Sequence, residues 1–229
     1  MNNELYEAIK LYATRPHKEL SALLLEKSKD QLIALFNTLL TIYINDKNSS
    51  LLREYITVSL AGYVPTNTKI GYNGFKQSTH IGGLTIACEA KPQNINTEDD
   101  GKRKNKRRLT GGGNFTDYTH KRLAKDRKEN PNMVVSGFVD GELIYVLEFP
   151  FKCSTFVEKL KSQLKKRFPD GDKPGEFLRS ANFTFEHYKN CKELKIIYLE
   201  KEKLENSKEQ LTKKYYDFLF NKISNDAKK

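Results

Sequence analysis

The chain reads as an α/β (α+β) protein, a mixed β-sheet flanked by helices and preceded by a helical N-terminal region. Three observations predict this. Apolar residues recur at helical spacing at Leu32, Leu35, Phe36, Leu39, Leu40 and Tyr43, and again at Leu52, Tyr55, Ile56 and Leu60. From Val64-Pro65 the texture turns to Gly, Thr and β-branched residues. Beyond that point strand patterns alternate with helical ones, the order that layers helices on a sheet. A length of 229 residues suffices for one good core. The expected division is a helical region over 1–63 and an α/β core with a C-terminal helix over 64–229.

Pro16 and the polar cluster at 46–50 separate the N-terminal helices. Residues 71–80 form a loop or irregular hairpin that leads into a strand over 84–91. A basic segment and three glycines at 111–113 follow. Next comes a helix that starts near Asp117, ends at Glu129 and is stopped by Asn130-Pro131. Strands over 133–139 and 143–149 are joined by Asp140-Gly141, a strong two-residue hairpin signal. A basic helix over 155–167, a turn-rich stretch at 169–174 and a short strand over 194–199 come next. A final amphipathic helix carries Leu211, Tyr215, Leu219 and Ile223.

The net charge is +11 and is concentrated in one place. Residues 101–128 hold eleven Lys/Arg against only Asp117 and Asp126. A local excess of this kind points to a polyanionic partner such as nucleic acid. No apolar run approaches the roughly 20 residues that span a bilayer, and no signal-peptide pattern opens the sequence. Cys88, Cys153 and Cys191 show no CxxC spacing, so neither a disulfide framework nor a zinc knuckle is expected, and a reducing cytoplasm is the natural setting.

In the strand over 84–91 successive side chains alternate between faces. Leu84, Ile86, Cys88 and Ala90 make an apolar face; Thr85, Ala87, Glu89 and Lys91 share the other. Glu89 and Lys91 thus stand side by side, about 6.6 Å apart along the backbone. A carboxylate can hold Mg²⁺ there, and an ammonium can orient an attacking water.

Glu89-Ala90-Lys91 resembles the ExK half of the PD-(D/E)xK nuclease superfamily, which includes many type II restriction endonucleases. The context agrees: an apolar strand enters the triplet, and a polar loop, a helix and another apolar strand follow. The resemblance covers roughly residues 64–150. It implies a restriction-endonuclease-like core and Mg²⁺-dependent cleavage of double-stranded DNA at a specific sequence. It also implies a homodimer, for which the N-terminal helices are a candidate interface. The superfamily normally supplies an acidic residue upstream, yet residues 55–88 contain no Asp or Glu. Glu54, Asp117 and Glu148 are the available substitutes, since a metal needs oxygen ligands in space and not in sequence order. The catalytic set is then Glu89, Lys91, Asp117 and Glu148, with Glu89, Asp117 and Glu54 as metal ligands. Ordinary roles compete: an exposed ion pair for Glu89 and Lys91, a helix cap for Asp117, a buried partner of a Lys or Arg for Glu148.

DNA phosphates would be held by Lys102, Arg103, Lys104, Lys106, Arg107 and Arg108, continuing along the helix with Lys121, Arg122 and Lys125. His80 and backbone N–H groups at the three glycines could also approach a phosphate. The alternative is a non-catalytic module that binds single-stranded nucleic acid, with Phe115 and Tyr118 stacking on bases.

Overall fold

A computed structural model describes residues 3–45, 51–66, 72–77, 83–95 and 106–226. Within them the chain opens with α1 (Asn3–Thr14), α2 (His17–Leu25), α3 (Lys29–Asn45) and α4 (Leu51–Leu60). Then follow β1 (Val64–Pro65), β2 (Gly74–Lys76), β3 (Ile86–Ile95), β4 (Gly113–Tyr118), α5 (His120–Glu129), β5 (Asn132–Val139) and β6 (Glu142–Pro150). The rest is α6 (Ser154–Arg167), β7 (Leu178–Phe183), β8 (Lys195–Leu199), α7 (Lys201–Asn206) and α8 (Lys213–Asp226).

Six strands form one mixed sheet in the order β1-β2-β3-β5-β6-β8. Only β3 and β5 run parallel; the other neighbours are antiparallel. A parallel pair cannot be joined by a tight turn, and α5 lies on the connection that carries the chain back. At the β5–β6 hairpin Asp140 and Gly141 both take positive φ, 49° and 83°, as a two-residue turn matched to strand twist requires. Strands β4 and β7 pair apart from this sheet as a two-stranded ladder.

Both faces of the main sheet are covered. Ala13 of α1 and Ile56 and Val58 of α4 pack on Cys88, Ala90, Val134 and Val146. On the opposite face Met133, Val135, Leu147 and Phe149 meet α5, α6, α8 and the β4–β7 ladder. Burial on both sides explains why β5 and β6 read as near-continuous apolar runs and do not alternate. Residue 63 does mark the change from helix to strand, but α1 and α4 share a core with the sheet and form one of its layers.

Two strands escape the sequence pattern. Residues 113–118, expected as a joint and a helix start, form β4, and α5 begins only at His120. The reason lies at Asp117, whose φ of 52° turns the strand. Phe115 and Tyr118, three residues apart, thereby both face the core, with ring centroids 4.8 Å apart. Helix α5 is capped by Thr119, whose hydroxyl accepts from the Arg122 N–H, so Asp117 is not the cap. Strand β7 was hidden in polar sequence because only Ala181 and Phe183 of it are fully buried. Conversely, β3 starts at Ile86, where its partner β2 ends at Lys76, and Leu84 is left 87% exposed.

Cys153 and Cys191 form a disulfide, with Cα atoms 6.0 Å apart. This corrects the expectation drawn from their wide spacing: the N-terminus of α6 and the turn after β7 are brought together by the fold. Closing a loop across a sequence separation of 38 should stabilise the oxidised protein by about 3–4 kcal/mol. Reduction, or Cys153→Ser, is expected to lower the urea midpoint accordingly; an unchanged midpoint would refute the estimate. No described helix is long and apolar enough to cross a membrane.

Candidate active site

Strand β3 lies inside the sheet between β2 and β5 and carries Glu89 and Lys91 on the face covered by β4 and α5. Glu89 is 6% exposed. The Lys91 ammonium donates to its Oε1 at 2.6 Å and stands 4.7 Å over the Phe115 ring. With the Lys91 side chain 21% exposed, the two form a largely buried, mutually held pair and not the exposed ion pair of the ordinary reading. Gly113 makes room for the lysine, because a Cβ there would fall 2.7 Å from the Lys91 Cβ. Gly113→Ala is expected to displace Lys91 at an overpacking cost of about 1–3 kcal/mol. Any activity that uses Lys91 should fall at least tenfold, a loss best read in single-turnover assays.

A second carboxylate, Asp126, comes from α5 and was not singled out in the sequence. It is 5% exposed, and its Oδ2 finds no hydrogen-bond partner among the described residues. Arg122, one turn back, lies 3.5 Å from Oδ1, and the Tyr118 hydroxyl lies against the carboxylate without the geometry of a full hydrogen bond. Asn130, one turn further on, is fully buried with both side-chain polar atoms unpaired among the described residues. The sequence did hold a signal. Leu123, Asp126 and Asn130 fall on one face of α5, so an acid and an amide occupy positions where a helix on a sheet carries apolar residues.

Burial raises the Asp126 pKa above its ordinary 3.8, with the Glu89 charge adding to the rise and Arg122 opposing it. The folded protein thus holds a proton more tightly than the unfolded chain. Stability is fullest below the ordinary Asp value, declines as pH rises to the raised value, and stays lower beyond it. Asp126→Asn should flatten that decline and raise stability at neutral pH. Urea midpoints of both proteins between pH 3 and pH 7 (a span of about 4 units around the Asp range) check this, and parallel curves would contradict it.

Glu54 is linked to the triplet by a relay. Its Oε2 accepts from the Asn73 amide at 3.0 Å, and Asn73 Oδ1 accepts from the Ala90 N–H at 2.7 Å. Ala90 sits between Glu89 and Lys91, so Glu54 is two hydrogen bonds from the pair. Asn73, at the mouth of β2, carries oxygen without charge in the acid-free stretch upstream of the triplet.

The other two substitutes go elsewhere. Asp117 is exposed on β4. Glu148 points to the opposite sheet face, where it accepts from the Tyr63 hydroxyl at 2.9 Å and meets Lys195 at 3.5 Å and Lys76 at 3.9 Å. Burial, with the Glu148 charge adding to it, pushes the Tyr63 hydroxyl and the Cys88 thiol well above their ordinary ranges. Glu148 thus takes the buried-partner role.

The glycines at 111–113 are engaged within the protein. The Thr110 and Gly112 N–H groups donate to Gln93 Oε1, and the Tyr188 hydroxyl donates to the Gly111 carbonyl at 2.6 Å. A Cβ at Gly112 would meet the Phe183 carbonyl oxygen at 2.1 Å. These residues let β4 approach β3 and β7 closely. Phe115 and Tyr118, 1% and 0% exposed, are core residues and offer no stacking platform.

Of the basic candidates, Lys106, Arg107 and Arg108 are exposed, as are Lys121 and Lys125; Lys125 pairs with Glu129 at 3.8 Å. Lys102, Arg103, Lys104 and His80 lie outside the described residues. No group of three or more His, Cys, Asp or Glu side chains that could hold a metal occurs among the described residues; Glu89 and Asp126 are close enough for their charges to interact. No protein-family model matches the chain, and no curated protein matches it.

Proposed function

We propose that the chain is a Mg²⁺-dependent endonuclease that hydrolyses phosphodiester bonds in double-stranded DNA at a specific sequence, resembling type II restriction enzymes. The observation that carries the reading is the largely buried Glu89–Lys91 pair on an inner strand with a second buried carboxylate, Asp126, near enough for its charge to interact with Glu89. The order β3, α5, parallel β5 around the triplet, with β4 inserted before α5, supports a restriction-endonuclease-like core.

The two carboxylates suit a magnesium ion, which takes one or two protein carboxylates and completes its shell with water and phosphate oxygens. Asp126 Oδ2 is unpaired among the described residues, and two buried carboxylates that repel one another are relieved by a cation. When bound, Mg²⁺ supplies positive charge to the phosphate and acidifies coordinated water. Glu89 holds the Lys91 ammonium in place; released toward the substrate, that ammonium orients the attacking water by hydrogen bonding. The β3 and β4 backbones and Phe115 hold the lysine stem, so that only its ammonium end has to move. Glu54, through Asn73, fixes the β3 backbone between the two reacting side chains.

The exposed bases of α5 and residues 106–108 would hold phosphates, which confer affinity without sequence. A homodimer would serve cleavage of both strands. In support, α3 exposes Leu32, Ile33 and Phe36, the last 59% exposed. Phe36→Asp is expected to shift light-scattering mass toward the monomer.

Digestion of bacteriophage and plasmid DNA in Mg²⁺ and in EDTA tests the proposal. Discrete, metal-dependent fragments support it. A mobility shift with no cleavage of any duplex would instead favour a binding module.

A further inference from the structure

Beside the candidate active site is a surface cavity of about 450 Å³ between α5 and α6. Arg127 of α5 and Lys161 and Lys165 of α6 line it, over a floor that includes Leu123, Ala124 and Phe168. All three cations are exposed, and none is engaged by a carboxylate of the described residues. Two acids flank the rim beside the lining Pro169 and Gly171: Asp170, which is exposed, and Asp172, which accepts from the N–H groups of His120 and Lys121 and meets His120 Nδ1 at 2.9 Å.

We infer that this groove binds the sugar–phosphate backbone of the nucleic acid. Three points carry the assignment. Lys161 and Lys165 stand one helical turn apart, about 6 Å along the axis, which lets them contact different phosphates of one strand. The floor between the cations is apolar, suited to sugar faces and unsuited to a second layer of carboxylates. The third point is the helix itself: α5 turns Arg127 into the groove and Asp126 toward Glu89. A strand in the groove therefore runs along the same helix that carries Asp126. Occupation of the groove would register the scissile phosphate at a fixed distance along the same molecule. The inference rests on the nuclease reading only for that last step; the groove itself needs a polyanionic strand and no cleavage.

The test is the salt dependence of binding, measured in a Glu89→Gln background so that no substrate is cut. Arg127→Ala/Lys161→Ala/Lys165→Ala is compared with a control of equal charge loss on α8, Lys213→Ala/Lys214→Ala/Lys222→Ala. On duplex DNA the groove triple should lower the slope of log K against log salt by about 2–3, at roughly 0.9 per phosphate contact, with the control unchanged. An unchanged slope in the groove triple, or an equal fall in the control, overturns the inference. Displacement of the DNA by polyglutamate at equal charge concentration would show a generic polyanion surface and overturn it as well. If the slope falls as expected while the wild-type protein cuts no duplex, the groove stands and the nuclease reading falls.

Discussion

Glu89→Gln is expected to reduce Mg²⁺-dependent cleavage by about a thousand-fold or more, the scale on which loss of a preorganised charge at a reacting centre is felt. DNA affinity and the far-ultraviolet spectrum should be unchanged. The substitution keeps the shape of a side chain that is 6% exposed, and it removes only the charge that pairs with Lys91 at 2.6 Å. Lys91→Ala should give a similar loss for a different reason: it leaves the Glu89 carboxylate buried without its cation, so stability also falls. The two variants therefore separate chemistry from folding. Full activity in both would remove Glu89 and Lys91 from the site. Thermal shift adds a reading that does not depend on turnover. Mg²⁺ should raise the Tm of the wild type by mass action, and Asp126→Asn should lose most of that rise.

Glu148→Ala is expected to do the converse, costing stability and sparing chemistry. Glu148 is 4% exposed and holds the Tyr63 hydroxyl, Lys76 and Lys195 together across β6, β2 and β8. Truncation strands the buried tyrosine donor and removes the charge that two lysines face. About 3 kcal/mol is the expected cost, or roughly 6–12 °C in Tm for a chain of this size. Cleavage assayed well below the new Tm should match the wild type. Loss of cleavage in a folded Glu148→Ala protein would place that residue in the reaction after all.

These expectations show which parts of the molecule could be read from residues alone. The β5–β6 hairpin was legible because Asp140-Gly141 is a local signal whose conformation neighbours do not change. Glu89 and Lys91 were legible because a two-residue period fixes their shared face whatever packs on it. Strand β4 was not, since its burial depends on a left-handed Asp117 and on β7, whose nearest paired residue is 60 positions away. The partners of the triplet were half legible. Glu54 stands out in the sequence by its charge, but its route through Asn73 depends on the β2–β3 register. Asp126 reads as one acid in a basic helix, and only its burial against the sheet gives it meaning. Glu148 failed as a ligand for a geometric reason: it lies on the far face of a two-sided sheet, a distinction that no count of intervening residues supplies.

The packing of α1 and α4 has a consequence for the chain as it is made. Their apolar faces have no complete partner until Val134 and Val146 arrive. At a synthesis rate of about 5–20 residues per second, the wait between the end of α4 and the end of β6 is roughly 5–20 s. For that interval the nascent protein presents two sticky helices and an unfinished sheet edge. Ribosome-bound chains halted before Val146 should therefore be held by chaperones and cut readily by protease. Chains halted after α8 should resist both.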